Sequence, residues 1–174
     1  IIEPGEYRKF EGTHISVQKH GGMAFSSKKP VFSNVFRAVE GMDAISLQAP
    51  IVSPETKPLG SLSMLLKPYD LLKSVIMPMI KDTDVDIWVM QTNGLVLFDQ
   101  DEKEIGKNVL SDDYYKPFLH LLAICQRIVS EEEGAGVYEF FATDQDKIVK
   151  KKAVWNTVRM HGTEWRVVYY EVIE

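Results

Sequence analysis

The chain has 174 residues, of which 45% are hydrophobic and 26% charged, with a formal net charge of −5. It is too apolar for a disordered tail and too short for a TIM barrel, and its negative charge argues against a nucleic-acid binder. No run approaches the roughly 18 consecutive apolar residues of a membrane span, and no signal-peptide pattern opens the chain. Because the sequence starts at Ile1 rather than Met, we expect a piece of a longer or processed protein.

The charge is divided unevenly along the chain. Residues 1–82 hold 10 basic and 8 acidic side chains, a balance of +2, whereas residues 83–174 hold 10 basic and 17 acidic ones, a balance of −7. Such a shift is typical of a boundary between structural units, so we expect a first lobe over 1–82 and a second over 83–174. Cys125 is the one cysteine, which excludes an intrachain disulfide and a cysteine-based zinc site.

The first half predicts a small antiparallel arrangement. Alternation of apolar residues places Ile45, Leu47 and Ala49 on one face of a strand. Turn-forming residues follow that strand, and Pro68 breaks the chain before a helical pattern begins. The expected elements, in chain order, are a short strand at 30–36, a strand at 44–52, a turn at 53–58, a returning strand at 59–66 and a helix at 69–80.

The second half predicts an α+β unit. Asn93-Gly94 is a strong signal for a two-residue hairpin between two strands. The expected elements are strands at 86–92 and 95–98, a loop or short helix at 99–108, a helix at 114–130, and strands at 136–142, 149–160 and 164–172. This order predicts an antiparallel five-stranded sheet with helices on one face.

The helix predicted over 114–130 is amphipathic. Its apolar stripe is expected to contain Tyr115, Phe118, Leu119, Leu122, Cys125 and Val129, with Lys116, His120 and Arg127 on the opposite side. Cys125 on this stripe indicates a buried, inert thiol.

Charged residues outside this helix favour ordinary surface roles. The carboxylate pairs Asp99/Asp101 and Asp112/Asp113 are expected to be solvated turn residues that cap short helices. The basic run 147–152 is expected to be the solvated end of a hairpin, with a phosphate or headgroup site as the alternative.

Aromatic residues give the most informative pattern. Tyr138 and Phe140 share one face of their strand, and Trp155 lies with Ala153 on a face of the next one. If the predicted helix covers these strands, their rings and Tyr115 line one space. That space is either a plain hydrophobic core or a cavity for a small ligand, and both interpretations stay open at this point.

Enzyme signatures are largely missing from the sequence. There is no Gly-rich phosphate loop, no His-Glu-x-x-His and no Gly-x-Ser-x-Gly. His14 and His20 with Asp43 form one candidate metal set, although two histidines in a polar loop are usually solvated. We therefore expect neither catalysis nor a cofactor, and keep a metal-dependent enzyme as a minor alternative.

Several motifs together resemble a known family. The run at 86–108 reads DIWVMQTNGLVLFDQDEKEIGKN, followed by GVYEFF at 136–141, VWNTV at 154–158 and EWRVV at 164–168. This pattern resembles the PAS-like Cache sensor domains found outside the cytoplasm in histidine kinases and chemoreceptors. In the first half, APIV at 49–52 and LGSL at 59–62 resemble the trailing part of the membrane-distal lobe of a double Cache sensor.

The resemblance implies a five-stranded PAS-like lobe preceded by a partial or reduced second lobe. It implies an extracytoplasmic ligand-sensing domain of a membrane-anchored signalling protein, whose parent chain carries an output such as a kinase module. A small organic acid or amine is expected to bind, and a C-terminal strand to relay the change to a membrane helix cut away after Glu174.

The expected ligand-binding residues are Tyr115, Tyr138, Phe140 and Trp155 in the second lobe, with His20 and Phe36 in the first. The alternative is a PAS-like module with a filled core that forms a homodimer or docks a partner.

Overall fold

A computed structural model describes residues 2, 4–13, 28–143 and 145–173 of the chain. The chain divides into two compact units. The first contains Ile1–Pro68 together with the turn Met160–Thr163, and the second contains Tyr69–Arg159 and Glu164–Glu174.

The first unit is built around one long central strand. The strands are β1 (Val31–Phe32), β2 (Phe36–Arg37), β3 (Asp43–Val52) and β4 (Pro58–Leu66), preceded by a 3-10 helix at Gly5–Phe10. β3 pairs antiparallel with β4 along one edge, and with β1 and β2 in turn along the other. Instead of one strand over 30–36, two short strands therefore form. The start of β3 is buried on both faces, since the successive residues Ala44, Ile45 and Ser46 are all fully buried.

The second unit holds a five-stranded sheet in the order β6-β5-β9-β8-β7. Its strands are β5 (Asp86–Gln91), β6 (Val96–Phe98), β7 (Gly134–Phe141), β8 (Ile148–Met160) and β9 (Thr163–Val172). The paired strands β5–β6, β5–β9 and β7–β8 are antiparallel. The predicted α+β class with an antiparallel five-stranded sheet is confirmed.

Two α-helices accompany the second sheet. Helix α1 (Pro68–Ile80) buries Leu72, Ile76 and Ile80, which are spaced four residues apart along one face. Helix α2 (Leu119–Ser130) packs against Trp88, Tyr138 and Trp155 in the main hydrophobic core. Within the described part of the chain, neither helix nor any other has the length and hydropathy needed to span a membrane.

The helix predicted over 114–130 is wrong at its start. Residues Asp113–Tyr115 form a separate 3-10 turn, and α2 begins only at Leu119. Pro117 explains the break, because a proline ring inside a helix clashes with the carbonyl four residues earlier and removes a hydrogen bond. Phe118, the residue before α2, accordingly has a non-helical backbone (φ −97°, ψ 69°).

The predicted apolar stripe of α2 is also wrong in part. Leu119 is 72% exposed, and the residues that α2 buries are Leu121, Ile124, Cys125 and Ile128. Cys125 is buried as expected. Because apolar residues occur on several sides of this helix, two different stripes fit the helical period, and only the contacts in the core distinguish them.

Candidate ligand cavity

A small cavity lies inside the second unit, between the sheet, α2 and the loop that follows β6. Its volume is about 40 Å³, room for about three waters. Its apolar walls are rings and aliphatic groups, chiefly Trp88, Tyr115, Tyr138, Phe140, Phe141 and Tyr170. Its charged walls are Asp99, Asp101, Glu104 and Lys151.

Strand register explains why these groups meet. Tyr138 on β7 lies directly opposite Lys151 on β8, so both side chains leave the same face of the sheet. Asp86 on β5 is likewise opposite Tyr170 on β9. The ring of Tyr138 contacts that of Tyr170 at 6.4 Å between centroids, and both rings line the cavity.

The acidic wall is held by hydrogen bonds within the loop after β6. Asp99 Oδ1 accepts a 2.9 Å hydrogen bond from the backbone N–H of Asp101. Asp101 in turn caps the 3-10 helix Glu102–Glu104 by accepting from the N–H of Lys103, which confirms its expected capping role.

Glu104 is the carboxylate of this wall that has a hydrogen-bond donor on each of its two oxygens. Lys107 Nζ lies 3.0 Å from its Oε1, and the hydroxyl of Tyr115 donates to its Oε2 at 2.5 Å. The side chain of Glu104 is buried, at 7% exposure. Both of its oxygens are therefore occupied by protein donors.

Lys151 is the unusual group of the cavity. It is 4% exposed, and its ammonium lies 4.2 Å from the ring centroid of Tyr170 and 5.7 Å from that of Phe140. Burial lowers the pKa of Lys151, and the nearby Asp99 and Asp86 oppose that shift. Among the described residues its ammonium forms neither a hydrogen bond nor an ion pair. This ammonium faces the cavity with no protein acceptor among the described residues, so the position is suited to an anionic group supplied from outside the protein.

Asp99 is the second charged group of the cavity with an atom that lacks a hydrogen-bond partner among the described residues. Burial raises the pKa of Asp99 to about 7, against a smaller opposing effect of its backbone hydrogen bond with Asp101. Only Oδ1 has a hydrogen-bond donor in the described part of the chain. Asp99 is half-buried rather than fully solvated, and its hydrogen bond to the N–H two residues on is the turn role expected of it.

The predicted ligand-binding residues are distributed over both units. Tyr115, Tyr138 and Phe140 line the cavity, as expected. Phe36 lies on β2 in the first unit, half-buried, and His20 lies outside the described residues.

Trp155 does not reach the cavity. Its side chain is 1% exposed and packs beside Gly134, with the guanidinium of Arg127 5.0 Å from its ring centroid. The placement follows from register, because Trp155 pairs with Gly134 at the far end of β7 from Tyr138. This corrects the expectation that Trp155 lines the cavity, whereas its role in ligand binding stays a prediction.

Sequence reasoning missed Lys151, which it assigned to a solvated hairpin end. The signal was present, since Val149, Lys151, Ala153 and Trp155 alternate with more exposed residues along β8 and share the buried face. The candidate metal set is not tested, because His14 and His20 lie outside the described residues; among the described ones no cluster of three metal-ligating side chains occurs.

Comparison with known proteins gives one family match and many structural neighbours. Residues 1–68 match the model of the HK/GC/chemotaxis protein-like sensor domain. No curated protein matches the chain.

Solved structures share the fold over nearly the whole chain. An extracellular ligand binding receptor from Desulfohalobium retbaense DSM5692 is 28% identical with a TM-score of 0.74, over 98% of this chain and 27% of that one. The ligand-binding domain of the Pseudomonas fluorescens chemoreceptor CtaA, in complex with L-isoleucine, is 14% identical with a TM-score of 0.57, over 93% and 60%. That of the Pseudomonas aeruginosa PAO1 chemoreceptor PctC, in complex with GABA, is 16% identical with a TM-score of 0.55, over 92% and 64%.

The chain therefore spans between about a quarter and two thirds of the length of these neighbours. Together the family match and the shared fold confirm the resemblance to the Cache sensor domains of histidine kinases and chemoreceptors, and the chain has the fold of those domains.

Proposed function

We propose that this chain is the extracytoplasmic ligand-sensing domain of a membrane signalling protein, and that the cavity of its second unit binds a short organic acid. The observation that carries the proposal is the buried ammonium of Lys151, which faces the cavity without an acceptor among the described residues. A carboxylate placed there supplies the missing partner, in a charge-assisted hydrogen bond.

Charge and size narrow the ligand class. The two oxygens of Glu104 are occupied by Lys107 and Tyr115, so this carboxylate offers little to a ligand amine. Space for about three waters fits a molecule of roughly four to six heavy atoms. Acetate, propionate and lactate are of this size, and isoleucine and GABA, which the solved neighbours bind, also carry a carboxylate.

Signal relay is proposed to run through the last two strands. Lys151 is on β8 and Tyr170 is on β9, two residues before that strand ends at Val172. The N–H of Ile173 donates to the carbonyl of Lys150 at 2.9 Å, which ties the end of β9 to the same part of β8. A ligand that draws Lys151 away from the Tyr170 ring thus acts close to the C-terminal end of the domain.

The test is calorimetric titration of the purified domain with propionate, propionamide and propylamine at about pH 6, where propionate is ionised. We expect propionate alone to bind, and Lys151→Met to weaken binding at least about tenfold. Lys152→Met is the matched control, because Lys152 points to the exposed face and pairs with Glu171 at 3.5 Å. Binding of propylamine in place of propionate, or unchanged binding by Lys151→Met, contradicts the organic-acid assignment.

A module with a filled core is the second candidate function, and the small size of the cavity favours it. Such a module acts by dimerising or docking a partner rather than by binding a ligand. Absence of binding by any of the three compounds and a panel of short acids, together with a concentration-dependent dimer in sedimentation, supports this candidate over the sensor.

A further inference from the structure

Asp99 and Lys151 face the same cavity without forming an ion pair. Both line its wall, and no ion pair joins either of them to a described residue. Asp99 Oδ1 is held by the N–H of Asp101, which leaves Oδ2 without a donor among the described residues. A carboxylate that reaches Lys151 therefore enters a space that is also lined by the carboxyl group of Asp99, whose Oδ2 has no hydrogen-bond donor among the described residues.

The surroundings of Asp99 are predominantly acidic. The charged or titratable groups that share the cavity with it are Asp101 and Glu104 from the loop after β6, Tyr115 from the 3-10 turn, Tyr138 on β7, Lys151 on β8 and Tyr170 on β9. From the other side, along a groove beside α1, it shares a wall with Tyr69, Lys73, Lys81, Asp84, Asp86 and Glu102. Lys73 is already paired with Glu102 at 3.2 Å.

Two carboxylates close together in a poorly hydrated site repel each other, and this repulsion raises the pKa of one of them. An entering carboxylate is repelled by an ionised Asp99. A protonated Asp99 removes this repulsion and donates its O–H to the ligand. We propose that binding of a short carboxylate in this cavity takes up one proton from solvent, which Asp99 holds and donates in a hydrogen bond to the ligand while Lys151 supplies the positive charge. The inference rests on the proposed function.

The pKa of Asp99 sets the pH range in which ligand binding is coupled to proton uptake. Burial raises the pKa of Asp99 to about 7, so the free protein changes protonation in the neutral range. Above that pH the proton must be taken from solvent, and affinity falls about tenfold for each pH unit. The domain then responds to the acid and to acidity together, binding most tightly when the surroundings are acidic.

Asp99 borders two spaces of the second unit. Asp99 and Thr143 line both the inner cavity and the open groove beside α1. The groove is much larger, at about 590 Å³ by the same measure. The hydroxyl of Thr143 lies 3.1 Å from that of Tyr170, so these two side chains form part of the partition.

The experiment is titration of the intact domain with propionate from about pH 6 to about pH 8.5, a range in which propionate itself stays ionised. Each titration is repeated in phosphate and in Tris, whose different ionisation enthalpies count the protons taken up. For the unmodified chain we expect affinity to fall about tenfold per unit above about pH 7, with uptake approaching one proton per ligand. Asp99→Asn, whose amide still donates a hydrogen bond, is expected to bind without pH dependence and without proton uptake.

Asp112→Asn is the matched control, because Asp112 lines neither the cavity nor the groove. Its side chain accepts from the N–H of Tyr114 as the cap of the 3-10 turn, and asparagine also caps, so this variant should keep the pH dependence of the unmodified chain. Affinity that stays level across this range, or an Asp99→Asn variant with the original slope, overturns the proton-coupled inference and leaves the proposed function intact. Absence of propionate binding even at about pH 6, where Asp99 is protonated, overturns both.

Discussion

The hydroxyl of Tyr115 donates a 2.5 Å hydrogen bond to Oε2 of Glu104, at a buried point between the 3-10 turn before α2 and the loop after β6. Tyr115 is 1% exposed, and Glu104 also accepts from Lys107 on its other oxygen. Burial and the hydrogen bond to Glu104 both raise the pKa of Tyr115, so this phenol stays protonated and serves as a donor. The pair therefore fixes one side of the cavity.

Replacing Tyr115 by Phe tests this bond directly. The variant leaves a buried carboxylate with one donor fewer, and we expect the free energy of unfolding to fall by about 1–3 kcal/mol. Urea denaturation followed by tryptophan fluorescence measures the loss. Tyr169→Phe is the control, because its hydroxyl has only a 3.5 Å contact with Glu171; equal effects of the two substitutions contradict a special role for the Tyr115–Glu104 bond.

Gly134 is required where the Trp155 ring covers β7. A Cβ at this glycine overlaps the indole, with Cε2 at 2.7 Å, and the ring is too well packed to move freely. We expect Gly134→Ala to lower the free energy of unfolding by about 1–3 kcal/mol. Gly136→Ala on the same strand is the control, since its Cβ overlaps only with the terminal Cδ1 of Ile124, at 2.9 Å, and otherwise meets side-chain atoms of Ile124 and Arg127 at 3.4 Å. A smaller loss at Gly134 than at Gly136 contradicts the explanation.

The topology of the second unit was predictable because its signals are local. Alternation along 149–160 corresponds to β8, and the turn signals on either side of it separate β7, β8 and β9. The turn at Asn93-Gly94 was recognised, although it is wider than two residues: β5 ends at Gln91 and β6 begins at Val96. Asn93 explains the difference, because its side chain accepts from the N–H of Leu95 and so builds a turn of its own.

The charged part of the cavity was not predictable in the same way. Alternation places Lys151 on the inner face of β8, yet a lysine there is buried only because Tyr170 and Phe140 on neighbouring strands enclose it. Asp99 is similar, since its partial burial depends on groups that come from several strands and a loop. These are non-local contacts, which periodicity in one segment does not report.

Substitutions at Trp155 and Phe140 distinguish a residue that stabilises the core from one that lines the cavity. Because its ring packs on Gly134 and not on the cavity, we expect Trp155→Phe to lower the free energy of unfolding by about 1–3 kcal/mol and to leave propionate affinity within about twofold of the unmodified chain. Phe140→Leu changes a residue that lines the cavity. We expect this variant to lose more free energy of propionate binding than free energy of unfolding. Denaturation and calorimetry on both variants check this, and a large loss of affinity in a folded Trp155→Phe variant returns Trp155 to the binding site.

Asp99 also predicts how stability depends on pH without any ligand. Its pKa is about 7 in the folded protein and about 3.9 in an unfolded chain. Between these values the folded state holds a proton that the unfolded state has lost, so the contribution of Asp99 to stability falls as pH rises through this window.

The amide of the Asp99→Asn variant carries no such proton, so the stability of this variant relative to the unmodified chain is expected to rise by about 2–4 kcal/mol between about pH 4 and about pH 7.5. Urea denaturation of both proteins at several pH values in this interval measures the difference between their free energies of unfolding. The effects of other titrating groups cancel in that difference. Glu102→Gln serves as a control at an exposed carboxylate, whose pKa is lowered by its hydrogen bonds with Tyr69 and Lys73. Stability curves for Asp99→Asn that run parallel to those of the unmodified chain contradict a protonated Asp99 in the folded state.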